Sequence, residues 1–138
     1  ERTEDGFGQG KVLASPFGMA LVAATVAAGK TPVPQLIAGR PTTVDGDNTP
    51  ISPKMVDALR PMMRLVVTNG TAKEIAGCCG EIYGKTGEAE FPGGSHSWFA
   101  GYRGDLAFAA LIVGGGSSEY AVRMTKVMFE SLPRDYLA

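Results

Sequence analysis

Apolar positions change their spacing about halfway along the chain, and the change separates a helical first half from a stranded second half. From Pro16 to Ala28 the chain is apolar nearly all round (Met19, Leu21, Val22, Val26), which predicts a helix covered on both faces. Ser15 before Pro16 offers a hydroxyl N-cap and then a proline where a missing N–H does no harm. Gly29 ends this helix by permitting a left-handed cap. A second start at Ser52-Pro53 opens a helix to about Val67, with Met55, Leu59, Met62, Met63 and Val66 at helical spacing. Pro61 lies inside it and is expected to kink or divide it, and Asn69-Gly70 stops it. The methionine stripe Met55, Met62 and Met63 reads as core filling rather than a cofactor box.

Between these helices lie punctuated segments. Residues 1–14 are rich in glycine (Gly6, Gly8, Gly10) and read as a loop leading into Ser15. Pro32 and Pro34 force an extended crossing, and Pro41 to Pro50 reads as a polar surface loop. Thr71 to Gly80 fits either a short helical turn or a loop.

Beyond Gly80 the period drops towards two. Glu81–Phe91, Ser97–Arg103 and Leu106–Val113 read as three successive strands, the first two joined by Pro92-Gly93-Gly94. Arg103-Gly104-Asp105 is a tight turn, so the last two strands form an antiparallel hairpin. Gly114-Gly115-Gly116 breaks the sheet, and Ser117 or Ser118 caps a final helix to about Ser131. Tyr120, Val122, Met124, Val127 and Met128 give that helix an apolar face to lay on the sheet. Trp98 and Phe99 alternate faces, one in the core and the other beneath a helix, and Tyr83 reads as packing. The fold class is α+β: helices, a three-stranded antiparallel meander, then a covering helix.

Composition bounds what such a chain does. It has 138 residues, 44% apolar and 20% charged, which suits one globular core. A net charge of −1 with scattered Lys and Arg gives no nucleic-acid or anionic-membrane surface. No segment reaches the roughly 18 apolar residues of a membrane span. The opening Glu1-Arg2-Thr3-Glu4-Asp5 lacks the basic start and apolar run of a signal peptide. Cys78 and Cys79 are adjacent, which is not the spacing of a redox or zinc motif, and one histidine leaves a zinc site short of ligands. The expectation is two plain thiols, buried or half-buried, with no metal and no cofactor.

Two Gly-Lys-Thr triplets, at residues 29–31 and 84–86, invite a phosphate-loop reading. Such a loop needs a glycine five positions earlier so that successive N–H groups wrap the phosphates, and a helix immediately after. Ala24 and Cys79 hold those earlier positions, and the triplets run into Pro32 and a strand respectively. Nucleotide binding is rejected. Lys85-Thr86-Gly87 on a strand has a different use: an ammonium and a hydroxyl hold a substrate carboxylate, and a glycine admits the substrate backbone. By itself a strand lysine is as well explained by solvation.

Context makes the triplet specific. Gly8-Gln9-Gly10-Lys11-Val12-Leu13 with Ser15-Pro16 and Met19-Ala20 resembles the Gly-Gln-Gly loop and following helix of class B penicillin-binding proteins. Val66-Val67-Thr68-Asn69-Gly70-Thr71-Ala72 is similar to their Gly-Thr-Ala segment. Then come Gly84-Lys85-Thr86-Gly87-Glu88-Ala89-Glu90 and His96-Ser97-Trp98-Phe99-Ala100-Gly101-Tyr102, in family order and spacing. The lipid-anchored mycobacterial members look closest. The resemblance implies the penicillin-binding/serine β-lactamase-like fold and acyl transfer between peptidoglycan stem peptides, through a serine acyl-enzyme that β-lactams also form. It implies that Lys85 contributes positive charge and proton transfer, that Thr86 binds the substrate carboxylate, and that the Glu88 N–H is one of two oxyanion donors beside Gly87. It further implies a location on the outer face of the cytoplasmic membrane, anchored by a segment or lipid outside this chain.

Two departures qualify the picture. Ser-x-x-Lys and Ser-x-Asn occur nowhere in the sequence. In the family both precede the Gly-Gln-Gly loop, so residues 1–138 correspond to the C-terminal portion of a transpeptidase domain, inactive alone and partnered by the domain's N-terminal half. Glu88 stands where the family usually has threonine, and its carboxylate repels a substrate carboxylate unless it turns away or is paired. His96 reads as structural, at a strand start. A binding module that senses β-lactams or muropeptides is the rival class; known sensors keep the nucleophile, so these residues do not separate the two. A structural domain with a chance triplet is the third, and it expects no groove beside Lys85. The strand 106–113, which pairs in the family with a strand from before this chain, is expected to self-associate through its free apolar edge.

Overall fold

The structure, a computed structural model, describes residues 2–46, 49–133 and 135–136. A short helical turn, α1 (Arg2–Asp5), opens the chain where the glycine content predicted only loop. Helix α2 (Pro16–Ala28) follows, capped by the Ser15 hydroxyl, which accepts the Gly18 N–H at 3.0 Å, and closed by Gly29 at φ 73°. Helix α3 (Pro53–Thr68) ends at Asn69, and a single 3-10 turn (Lys73–Ile75) settles the open reading of Thr71 to Gly80. Part of the predicted loop before α3, Asp47 and Asn48, lies outside the described residues.

Strands β1 (Tyr83–Phe91), β2 (Gly94–Arg103) and β3 (Leu106–Ile112) form one antiparallel sheet in the order β1-β2-β3. Gly94 belongs to β2, so the first hairpin turns on Pro92-Gly93 alone. The register pairs Gly84 with Gly101 and Thr86 with Phe99, then Phe99 with Ala110 and Gly101 with Phe108. The pairing of two glycines has a steric cause. A Cβ on Gly101 would stand 2.0 Å from the Tyr83 carbonyl oxygen and 2.8 Å from the Gly84 Cα, so only glycine lets these strands approach.

Helix α4 (Glu119–Ser131) covers the sheet face formed by Ser97, Phe99, Phe108 and Ala110. Phe99 is completely buried there, edge-on to Phe108, which is in turn edge-on to Phe129. Val67, Ala72, Ile75, Cys79 and Ile82 complete this core. The alternate residues Trp98, Ala100 and Tyr102 turn to the other face, where α2 packs. Strand alternation therefore places Phe99 in the core and Trp98 half-buried under a helix.

Five expectations are corrected. Pro61 does not divide α3; it sits on an exposed side, and the helix runs through it to Thr68. Met55 and Met62 are exposed, and Val56 and Val67 are the buried residues of α3. The α4 face on the sheet is Ala121, Val122, Thr125 and Phe129, leaving Tyr120, Met124, Val127 and Met128 outside, because the Ala121 N–H bonded to the Ser97 hydroxyl turns that side of the helix to the strands. Helix α2 is not covered all round either, since Phe17 and Val22 are exposed. The cysteines are not free thiols: the turn after the 3-10 segment brings them together, and a disulfide joins Cys78 to Cys79.

Candidate functional site on the outer strand

Strand β1 is an outer strand of the sheet, and Lys85, Thr86, Gly87 and Glu88 occupy its middle. Its alternation sends Lys85 and Gly87 to one face and Thr86 and Glu88 to the other. Lys85 is exposed, and its ammonium curls back to donate to the Thr86 carbonyl at 2.5 Å. Gly87 lies over Trp98, where an added Cβ would meet the Trp98 Cβ at 3.5 Å, an ordinary contact. Its missing side chain leaves a low stretch of strand beside the lysine.

Thr86 is buried, and its hydroxyl shares a 2.6 Å hydrogen bond with the Thr71 hydroxyl. Thr71 is exposed and follows the end of α3, so the Gly-Thr-Ala segment and the Lys-Thr-Gly strand meet through two side chains. Each hydroxyl has one donor and two acceptor positions, so the pair retains capacity for another polar group. Sequence reasoning matched Thr71 by motif but gave it no role; a threonine in a motif between two elements was the only signal.

Glu88 is paired. Its Oε1 accepts the Ser118 N–H at 2.8 Å, at the start of α4, where the helix dipole favours an anion. The carboxylate is thus directed to the helix, the outcome that removes the repulsion expected at this position. Ser118 itself makes no side-chain cap; Glu88 takes over that task from a neighbouring strand. A second strand-to-helix bond lies beside it, with the buried Ser97 hydroxyl accepting the Ala121 N–H at 3.0 Å. His96 is structural as expected: it stacks on Phe91 and its Nδ1 accepts the Gly114 N–H at 3.0 Å.

The surroundings hold β1 in place. Gln9, from the glycine-rich loop, donates to the Glu90 carbonyl at 3.4 Å. Arg64 of α3 donates to the Ile82 carbonyl at 2.8 Å, just before the strand. Tyr83 donates to the Glu81 carboxylate and stacks on its cross-strand partner Tyr102 at 4.9 Å. The bond to Glu81 raises the Tyr83 hydroxyl above its usual range, with desolvation and the Glu81 charge adding to it. Burial does the same for Tyr102, partly offset by the charge of Arg60. The Arg60 guanidinium donates to the Val26 and Ala27 carbonyls at the end of α2, and the Tyr102 hydroxyl has no hydrogen-bond partner among the described residues. Arg123 binds Glu74 through its Nε, at 3.0 and 3.2 Å, tying α4 to the 3-10 turn and raising the guanidinium's pKa.

Known proteins extend this picture. No curated protein matches the chain. Its fold superimposes on the crystal structure of Pseudomonas aeruginosa PBP2 in complex with WCK 5153 with a TM-score of 0.74 and 25% identity, covering 95% of this chain and 33% of that one. The D,D-transpeptidase domain of a peptidoglycan glycosyltransferase from Eggerthella lenta shares the fold with a TM-score of 0.63 and 24% identity, covering 83% and 31%. The chain thus spans about a third of the solved structures it matches. The family model of the penicillin binding protein transpeptidase domain matches residues 3–131, nearly the whole sequence, and the chain belongs to that family.

Proposed function

We propose that this chain is the C-terminal portion of a serine-type D,D-transpeptidase domain and supplies one wall of its acyl-transfer site. The observation that carries the reading is Lys85-Thr86-Gly87 on the outer strand, with the Thr86 hydroxyl tied to Thr71 of the neighbouring motif. Substrates are peptidoglycan stem peptides, and β-lactams enter the same groove. A serine from outside these residues attacks the penultimate D-alanine carbonyl. Lys85 provides positive charge and assists proton movement, and the Thr86–Thr71 pair offers hydrogen bonds to the terminal carboxylate. Along a strand, the N–H of residue i+2 points to the same side as the C=O of residue i. The Glu88 N–H thus faces the side on which the Lys85 ammonium meets the Thr86 carbonyl, which suits it as one of two oxyanion donors. The Glu88 side chain serves the helix and not the substrate.

The same reading gives the free side of β3 (Leu106–Ile112) to the N-terminal half of the domain, and places the protein on the outer face of the cytoplasmic membrane, where stem peptides are. Alone, the chain is expected to self-associate through that edge, which light scattering as a function of concentration measures. The deciding experiment is labelling with a reporter penicillin, read by intact mass. The chain alone should form no adduct, and its combination with the upstream half should form one. In the combined protein Lys85→Ala should slow acylation by roughly 10²–10³, the scale for losing a preorganised electrostatic group. An adduct on the chain alone, or full-rate labelling of Lys85→Ala, would overturn the assignment.

A further inference from the structure

The disulfide lies at the opposite end of the sheet from Glu88. Arg103, at the end of β2, is six positions from Ser97, the partner of Glu88, which is roughly 20 Å of strand. Here Cys78 is exposed and Cys79 buried, and the last turn of α4 brings Glu130 against them. One sulfur from each cysteine and a carboxylate oxygen of Glu130 lie within 4.8 Å of one another. Cys78, Glu130 and Arg103 line a cleft of about 360 Å³ that nothing in the proposed transpeptidase chemistry uses.

We propose that the reduced form of this cluster binds a thiophilic divalent cation of the zinc class, with Cys78, Cys79 and Glu130 as ligands and a fourth position open to the cleft. In the disulfide neither sulfur is a thiolate. A dithiol or phosphine reductant delivers two electrons to the S–S bond; two protons complete two thiols, and the reductant leaves oxidised. The cation then displaces both protons as it takes up two thiolates. Ligand atoms around a tetrahedral zinc stand roughly 3.6–3.8 Å apart, given Zn–S near 2.3 Å and Zn–O near 2.1 Å. The released sulfurs therefore separate, and the Glu130 carboxylate, already within 4.8 Å of both, adjusts as an exposed side chain can.

Charge agrees with this assignment. Two thiolates and a carboxylate around a dication leave one negative charge, and the Arg103 guanidinium balances it. Arg103 packs so closely on Gly80 that a Cβ there would come within 2.7 Å of its Nε, which sets the positive charge one residue from Cys79 and favours thiolates. The sequence hides the site because its third ligand comes from the last helix, not from a Cys-x-x-Cys spacing.

The test reduces the full chain with a phosphine, removes the reductant, and titrates with Cd²⁺ as the spectroscopic probe, then with Zn²⁺ in competition. One Cd²⁺ per chain with thiolate-to-cadmium charge-transfer absorption is expected, displaced by Zn²⁺ and absent from the disulfide form. Glu130→Gln, a surface change, should weaken binding at least about 10-fold, since losing even a hydrogen-bonding partner of a metal ligand costs roughly 10- to 100-fold. Cys78→Ser, at the exposed sulfur, should remove most of the charge-transfer band while thermal melting shows an intact fold. Equal binding by the disulfide form, no charge-transfer band, or undiminished affinity in Cys78→Ser would overturn the proposal.

Discussion

Glu88→Ala isolates the link between the outer strand and the last helix. The substitution deletes the oxygen that accepts the Ser118 N–H at 2.8 Å. A hydrogen bond to a charged group contributes about 1.5–3 kcal/mol when well shielded, and an anion at a helix N-terminus about 0.3–1 kcal/mol. Glu88 is exposed, so water replaces part of both, and about 1–1.5 kcal/mol is a reasonable loss. Unfolding entropy near 2.1 cal/mol/K per residue over 138 residues makes this a fall in Tm of about 3–5 °C. Glu88→Gln retains an acceptor but not the charge and should lose about half as much. Thermal unfolding followed by circular dichroism measures the loss, and hydrogen exchange at the Ser118 amide localises it, with protection falling in Glu88→Ala. In the combined, acylating protein Glu88→Thr should leave the acylation rate unchanged, since the carboxylate is already occupied. An unaltered Tm with unaltered Ser118 protection would refute the capping role. Faster acylation in Glu88→Thr would show instead that the carboxylate faces the substrate.

Two further substitutions test the sheet. Tyr102→Phe removes a buried hydroxyl with no hydrogen-bond partner among the described residues and should stabilise the chain by about 1 kcal/mol in urea unfolding at neutral pH. Burial raises the Tyr102 hydroxyl above 10.0, so its contribution is intact below that pH and is lost as pH rises towards the folded-state value; Tyr102→Phe should therefore lose less stability in alkali, and equal losses would count against the burial argument. Gly101→Ala puts a methyl against backbone on the neighbouring strand and should cost at least about 3 kcal/mol, whereas Gly77→Ala, with nothing within 4 Å, should be close to neutral. Comparable unfolding curves for the two would overturn the close-approach argument.

The elements were legible where local chemistry fixes them. Ser15-Pro16 and Gly29 bound α2 as the capping rules require, and the two-residue period of the second half yields three strands within a few residues of their ends. Contacts between remote segments were not legible. Nothing local to Glu88 reveals that an amide of α4 will meet it, and nothing near Thr71 reveals its bond to Thr86. The cysteine pair misled for a related reason: the spacing rules for disulfides exclude neither a turn that closes two adjacent residues nor a carboxylate arriving from another helix.

The error on α4 has a physical explanation that bears on the proposed function. Apolar periodicity shows that a helix has a face to bury, but not which neighbour will cover it. On α4 the face against the sheet carries Ala121, Val122, Thr125 and Phe129, and Thr125 satisfies its own hydroxyl by donating to the Ala121 carbonyl at 2.8 Å, so a closely packed, internally satisfied surface lies against the strands. The larger residues Tyr120, Met124, Val127 and Met128 point away, and Met55, Met62 and Leu65 do the same on α3. Exposed stripes of this kind on two helices, together with β3 as an outer strand, are surfaces of the kind a partner covers. The proposed reading assigns that partner: the domain's N-terminal half would cover these surfaces and set its serine beside Lys85. On that account Met124→Lys, neutral in the chain alone, should impair reassembly with the upstream half and reduce penicillin labelling in proportion. If labelling were untouched, the α4 stripe would not be part of that interface.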